Sequence, residues 1–451
     1  MRSVIDCWAK SGKPGAPDRA HELLTEMETQ IRTNCDVKPN SFTYNAVINA
    51  LAKCNEPGAA AKAERVLCNM VARTDDAIRP STINFNTVLD AWAKSKEPNN
   101  ASHAEDILNW MNSLYEHGNT NVKPDSISFN AVIDAWARSA SQDSTAARRA
   151  EEILTHMDAL YDGGNIDVRP DAYTYNTVIN AYAKCSPYDR SACQDAERIL
   201  QKMKSSGYVK PNTRSHTCVI DAWAKSGRSG AALHAERMLQ DLLEGDNLVR
   251  PNTHTFNAVM NACAFTRSNN VKEKVEAKMV AFRVFDRLVR NLRDDGHDGG
   301  NKSARGTFSI SNQCRPDAYT YTILLSVVCN LMDDKLERYE HAKLLFKSCA
   351  HDGCVNEFVW RKLRQVIPGI NDFRTITGGR DHFVDLPQGW TRNDRQKKNH
   401  RYHNHTSRND SRGRGGRYSN RRNYNKGMRG GSSNNFRIGR SYGSASSSSR
   451  R

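Results

Sequence analysis

No stretch of the 451 residues runs to 18 consecutive apolar side chains, and hydrophobic content is only 38 %, so a membrane-spanning helix is not expected. The 12 cysteines form no C-x-x-C pair, and none stands at zinc spacing with histidine. Cys54, Cys185 and Cys263 read as small, reduced, buried residues of an intracellular protein. There is no G-x-x-x-x-G-K-[ST] phosphate loop and no H-x-E with P-C-x-x-C of a zinc deaminase. The acids of 371–451 are Asp372, Asp381, Asp385, Asp394 and Asp410, unclustered, whereas metal-dependent RNA cleavage needs grouped carboxylates. His400, His403 and His405 lack a flanking cysteine or acid, so no metal or cofactor is expected. Together these absences argue against an enzyme. No signal or transit segment is visible either. Residues 2–10 align with 130–138 in mid-helix, so the first unit is expected to lack its start.

Net charge is also small over most of the chain. Net charge is +16, but residues 391–451 hold 17 Lys/Arg and 2 Asp/Glu, or 17 − 2 = +15. The remaining 390 residues carry 16 − 15 = +1. Any partner preference of the body must come from where its charges sit.

What the chain has is self-similarity. Between Ser126 and Asp171, Phe129, Val132, Ile133, Trp136 and Ala137 recur at helical spacing, and Ala147, Ala150, Ile153, Leu154, Met157 and Leu160 mark a second helix before Pro170 stops it. A two-helix unit cannot bury both apolar stripes alone, so it needs copies on either side. Seven repeats align at 41–81, 82–125, 126–171, 172–212, 213–252, 253–317 and 318–356, after a partial repeat at 1–40. The long sixth repeat holds a Gly-, Asn-, Ser- and Asp-rich insert around residues 294–313, expected to form a mobile loop. Residues 357–390 read as a segment capping the open end, and 391–451 as a disordered basic tail.

Counting each repeat from its first residue, positions four, seven, eight and eleven are apolar and must pack. Trp92, Trp136, Tyr182 and Trp223 at position eleven are packing residues. Positions two, five, nine and thirteen share another face. Position two holds Phe42, Ile83, Ile127, Tyr173, Arg214, His254 and Tyr319. Position five holds Asn45, Asn86, Asn130, Asn176, Thr217, Asn257 and Thr322. Position nine is mostly Asn49, Asp90, Asp134, Asn180, Asp221 and Asn261. Position thirteen holds Lys53, Lys94, Arg138, Lys184 and Lys225, and departs from the pattern at Phe265 and Asn330.

Asparagine is a poor helix-interior residue, so its recurrence asks for a reason. One is structural: each amide caps or bridges to the next repeat. The other is recognition. An amide offers a donor and an acceptor to a base edge, a flat residue one turn earlier can stack, and a cation two turns later can meet phosphate. The three on one stripe favour recognition.

TYNAVINALAK, FNTVLDAWAK, FNAVIDAWAR and TYNTVINAYAK, each preceded by KPN, RPS, KPD or RPD, resemble the pentatricopeptide repeat family over residues 1–356. The resemblance implies an all-α, right-handed superhelical solenoid of helical hairpins that binds single-stranded RNA, one base per repeat. It implies that position five and the last residue of each repeat read the base together: Asn45 with Ser81, Asn86 with Asp125, Asn130 with Asp171, Asn176 with Asn212, Thr217 with Asn252, Asn257 with Asp317, and Thr322 with Asn356. The family code then gives a target near 5′-C-U-U-Y-A-U-A-3′. Position two would stack on bases, and position thirteen would meet phosphates. The resemblance also implies a monomer acting in organellar RNA metabolism, with an RNA-processing or ribosomal complex as a further partner. A mitochondrial location comes first and a plastid second. Arg412–Tyr418 (RGRGGRY) and Arg429-Gly430-Gly431 resemble RGG-type segments that bind RNA with little sequence preference. A protein-interaction scaffold is the rival reading, and an RNA-processing enzyme whose catalytic part lies outside this sequence is another.

Overall fold

The computed structural model describes residues 2–30, 38–54, 56–73, 78–244, 249–267, 270–294 and 314–393, which all lie in one compact unit, Met1–Asp394. Among them the chain is all α-helical, without strands. The basic tail, its RGG-like segments, its three histidines and most of the sixth-repeat insert lie outside the described residues. No described helix is long and apolar enough to cross a membrane.

Each repeat is an antiparallel pair. The first helices are α3 (Ser41–Lys53), α5 (Thr82–Lys94), α7 (Ser126–Ser139), α9 (Ala172–Cys185), α11 (Thr213–Ser226), α13 (Thr253–Ala264) and α15 (Ala318–Leu331). Their partners are α4 (Ala59–Val71), α6 (Asn100–Glu116), α8 (Ala146–Asp162), α10 (Ala192–Ser205), α12 (Ala231–Glu244), α14 (Val271–Asp294) and α16 (Lys335–His351). A preceding pair is α1 (Arg2–Lys10) and α2 (Ala16–Gln30). First helices line up side by side along the chain, and each second helix also leans on the first helix of the next repeat. The result is a solenoid in which a repeat touches only its neighbours.

The sequence enforces this locally. A proline precedes the cap residue of each first helix (Pro39, Pro80, Pro124, Pro170, Pro211, Pro251, Pro316), holding the incoming chain extended. The hydroxyl at the first helical position then ties the repeat to its own far end: Ser126 Oγ donates to Arg169 O at 3.0 Å, Thr82 Oγ1 to Lys123 O at 2.8 Å, and Thr213 Oγ1 to Arg250 O at 2.8 Å. At position four, Tyr44, Phe85, Phe129, Tyr175, Phe256 and Tyr321 are fully buried, each such ring contributing about 1.5 to 3 kcal/mol of transfer free energy. His216 takes that place in α11. Burial lowers its pKa, and its Nδ1 lies 3.1 Å from Asn212 O.

The aromatics at position eleven do more than fill space. Trp136 Nε1 donates to Glu105 of α6 at 2.9 Å, Trp92 Nε1 to Glu64 at 2.9 Å, Trp223 Nε1 to Glu197 at 3.2 Å, and the Tyr182 hydroxyl to Glu151. The same glutamates meet a cation or imidazole from the next second helix: Arg149 on Glu105, Arg198 on Glu151, His234 on Glu197. At Glu105, Glu151 and Glu197 one carboxylate thus joins three helices. Burial opposes ionisation of Glu151, but hydrogen bonds from Arg198 and Tyr182 outweigh it and hold its carboxyl below the usual range. Its contribution is complete above the ordinary glutamate range and is lost as pH falls through the lowered value.

The far end is closed by α17 (Glu357–Val366) and α18 (Ile370–Thr377), then by two short 3-10 turns, Phe383–Asp385 and Gln388–Thr391. This last segment doubles back. Val355 N donates to Trp390 O at 2.9 Å and Asn393 N to Gly353 O at 2.8 Å, while the Trp390 ring stands edge-on to Phe346 at 5.6 Å. Gly353 has φ +70° and lies under Arg392, whose side chain a Cβ there would hit.

Trp136→Ala should lower stability by about 3 to 5 kcal/mol, and Trp136→Phe, which leaves Glu105 without the indole donor, by about 1 to 2 kcal/mol. Chemical denaturation of the two variants beside the parent chain measures both.

Candidate nucleic-acid interface

The first helices share one accessible face, and their caps set its chemistry. Every first helix from α3 to α15 starts on a short polar residue in extended conformation: Asn40, Ser81, Asp125, Asp171, Asn212, Asn252 and Asp317. Such residues lead at this place because their side chains satisfy orphan N–H groups of the first turn. Asp171 Oδ1 accepts from Thr174 N at 2.9 Å, Asp317 Oδ1 from Thr320 N at 2.9 Å, and Asn212 Oδ1 from Ser215 N at 3.0 Å. In return the third-position hydroxyl accepts from the cap's own backbone, as Thr174 Oγ1 does from Asp171 N at 3.1 Å, closing a capping box. Asn356 caps α17 the same way, accepting from Val359 N at 2.9 Å, but Val359 has no hydroxyl to reciprocate.

These caps are also the last residues of the repeats before them, and position five of the earlier repeat comes up against them. Asn86 Nδ2 donates to Asp125 Oδ1 at 3.0 Å, Asn176 Nδ2 to Asn212 Oδ1 at 3.3 Å, and Asn257 Nδ2 to Asp317 Oδ1 at 3.4 Å. Three of the seven sequence pairs are therefore directly bonded. Asn130 is bonded instead to Thr174 Oγ1 at 2.7 Å, Asn45 to the Asn84 amide, and Thr217 to Thr255 Oγ1 at 2.8 Å. Thr322 turns its hydroxyl back to Ala318 O at 2.8 Å and has no bond to Asn356. Ser81 is engaged with Asn84 rather than with Asn45. Asn176 and Asn257 are buried, and the other position-five residues are half-buried. The bridging reading that the sequence left open thus has a concrete geometry, and it leaves each amide with unused hydrogen-bonding capacity. Asn176 Oδ1 is buried with no partner at all.

Position two stands clear of these bonds. Phe42, Ile83, Ile127, Tyr173 and Tyr319 are 52 to 70 % exposed, and Arg214 and His254 are exposed beside them. Burial, not exposure, is the rule for large apolar side chains, so a row of them one per repeat marks a contact surface. Phe358 on α17 continues the row at the same helical position and is 57 % exposed. The sequence reading placed it in the cap, though its offset from Asn356 matches that of Tyr319 from Asp317.

The position-thirteen cations are less free than the sequence implied. Lys94 pairs with Asp90, Arg138 with Asp134 at 2.7 Å, and Lys225 with Asp221, each four residues apart on one helix. Lys184 donates to Ala137 O at 2.7 Å, and burial lowers its pKa. Lys53 follows Asn49, which carries no charge. The face therefore presents cations largely balanced by position-nine carboxylates, in keeping with the near-neutral body. Among the described residues no group of three or more His, Cys, Asp or Glu could hold a metal ion.

The model of the pentatricopeptide repeat domain matches residues 160–226, and that of the single PPR repeat matches residues 42–72. Two stretches of the chain thus match pentatricopeptide repeat models. No curated protein matches it. Among solved structures, the pentatricopeptide repeat protein PPR10 in complex with an 18-nucleotide psaJ RNA element is 20 % identical, covering 77 % of this chain and 45 % of that chain with a TM-score of 0.36. A second such complex, of a cysteine-substituted PPR10, gives the same values. PPR10 from maize is 16 % identical over 87 % of this chain and 58 % of that chain, with a TM-score of 0.27. The chain spans less than half the length of the two RNA-bound proteins it matches.

The caps make a test that needs no ligand. Asp125→Asn keeps an acceptor for the first turn of α7 and should leave stability within a few tenths of a kcal/mol, whereas Asp125→Ala should cost about 1 to 2 kcal/mol. Thermal unfolding of the two variants separates these outcomes.

Proposed function

We propose that this chain is a pentatricopeptide repeat protein and binds single-stranded RNA along the face lined by its first helices, one base per repeat. The observation that carries this reading is a recurrent unit. At one junction after another an exposed position-two side chain stands beside a buried or half-buried amide or hydroxyl that the cap or the third residue of the next repeat holds in place. Bases would stack along the row from Phe42 to Tyr319, and the position-five groups would meet base edges with the cap residues beside them. The target would lie near 5′-C-U-U-Y-A-U-A-3′, and the basic tail would add affinity without sequence preference. We place the protein in organellar RNA metabolism, in the mitochondrion before the plastid, as a monomer that stabilises, processes or translates a transcript alone or with an RNA-processing or ribosomal complex. The chemistry is binding, not catalysis.

Binding of the chain to seven-base RNAs should prefer this sequence to its complement. Asn130→Ala should weaken binding at the matching uridine by about 1 to 3 kcal/mol, and Lys94→Ala should weaken all sequences alike. Asp90→Asn, which releases Lys94 from its partner, should tighten all sequences and steepen the salt dependence by about one charge. Equal affinity for every single strand, unchanged by Asn130→Ala, would sink the base-reading proposal.

A further inference from the structure

The third residue of each repeat attracted no notice in the sequence beyond its place in a helix start. In Ser128, Thr174 and Thr320 its hydroxyl belongs to two repeats at once. Ser128 Oγ lies 3.0 Å from the cap Asp125 Oδ1 and 2.6 Å from Asn86 Oδ1 of the preceding repeat. Thr174 Oγ1 lies 3.0 Å from Asp171 Oδ1 and 2.7 Å from Asn130 Oδ1. Thr320 Oγ1 lies 2.9 Å from Asp317 Oδ1 and 2.8 Å from Asn257 Oδ1. Ser128 and Thr320 are buried, as is Thr174.

An asparagine amide can turn over by half a rotation, exchanging donor and acceptor. A hydroxyl that donates to Oδ1, facing a carboxylate that accepts from Nδ2, permits only one of the two orientations. At Asn86 and Asn257 both restraints are present. The flipped amide would set its oxygen against the Asp125 or Asp317 carboxylate. At Asn176 the arrangement fails: Ser215 Oγ reaches only Asn212 Oδ1, at 3.2 Å, and Asn176 Oδ1 is left buried and unpartnered. At Thr322 it is missing outright, because Val359 stands where the hydroxyl would be.

We infer that a third residue whose hydroxyl reaches the position-five group behind it, as in Ser128, Thr174 and Thr320, is a positioning residue for base selection by the repeat before it, locking that group in one donor–acceptor order. The inference rests on the base-reading proposal above. Selectivity should then be graded along the chain, strict where Asn86, Asn130 and Asn257 are held by a hydroxyl, and relaxed at Asn176 and Thr322. The lock acts on which base is accepted rather than on how tightly the backbone is held, since hydroxyl and amide oxygen face each other across the junction.

The test uses the full chain and seven-base RNAs varied one register at a time. Ser128→Ala should lower the preference for uridine at the Asn86 register about fivefold, the value of one neutral hydrogen bond, and leave the Asn130 register unchanged. Ser128→Thr should restore it. Val359→Thr is the complementary gain: its hydroxyl would meet Thr322 Oγ1 as Thr255 Oγ1 meets Thr217 Oγ1, and it should sharpen base preference at the Thr322 register by a similar factor. A merely structural role for Ser128 would flatten all registers together or none, and either result overturns the inference while the parent chain still discriminates. If Ser128→Ala fails to fold, Val359→Thr decides, and an unchanged Thr322 register overturns the inference. A parent chain without preference at any register overturns the base-reading proposal and this inference together.

Discussion

The junction between consecutive repeats depends on one small polar side chain doing three things. The residue that ends a repeat satisfies the first-turn N–H groups of the next helix, meets the third-position hydroxyl of that helix, and in several repeats accepts the amide of position five behind it. An uncapped helix start buried in a solenoid would leave orphan donors away from water. The capping demand therefore fixes where each helix begins, and that start places position two outward and position five inward. The same bonds that make the array fold also hold the groups proposed to select bases. Stability and the proposed recognition share atoms here, and the capping alone accounts for asparagine and aspartate at places where helix propensity would favour alanine.

A second tie works on the opposite side of each first helix. The glutamate that accepts from Trp136 or Tyr182 binds one repeat to the next through a partly buried carboxylate, and Arg149 or Arg198 balances its charge. Caps on one edge and carboxylates on the other set the rotation between neighbours. Substituting only one side would loosen the stack without releasing a hairpin, since contacts in such an array are with adjacent units alone.

The helical hairpins were legible in the sequence because apolar spacing in Ser126–Asp171 has a helical period and Pro170 stops it. The packing roles of Trp136 and Tyr182 were legible too, but their glutamate partners were not. Glu105 lies 31 residues before Trp136, on a face that reads as ordinary solvated charge, and only the superposition of two helices brings them together. The exposure of the position-two row followed from its stripe. The ion pairing of Lys94 and Arg138 was in view as an i,i+4 spacing with Asp90 and Asp134, yet assigning the cations to phosphate passed over it. Phe358 was hidden by the change from Thr320 to Val359 at the third position, which breaks the local motif while leaving the helix start in register. Whether the cap residue meets position five directly, as Asp125 does and Asn356 does not, depends on fractions of an ångström that no residue pattern encodes.

The closing turn built from Gly353, Trp390 and Asn393 gives this array a direction. A linear stack melts from its termini inward, and the ease of opening an end hairpin depends on how many bonds hold it that its neighbours do not supply. Here the last hairpin is clasped by a returning segment that α17 and α18 would have to shed first. Amide exchange around α15 and α16 should therefore be slowed by residues more than thirty positions further along, and trimming the chain at residue 386 would speed it without touching a single repeat.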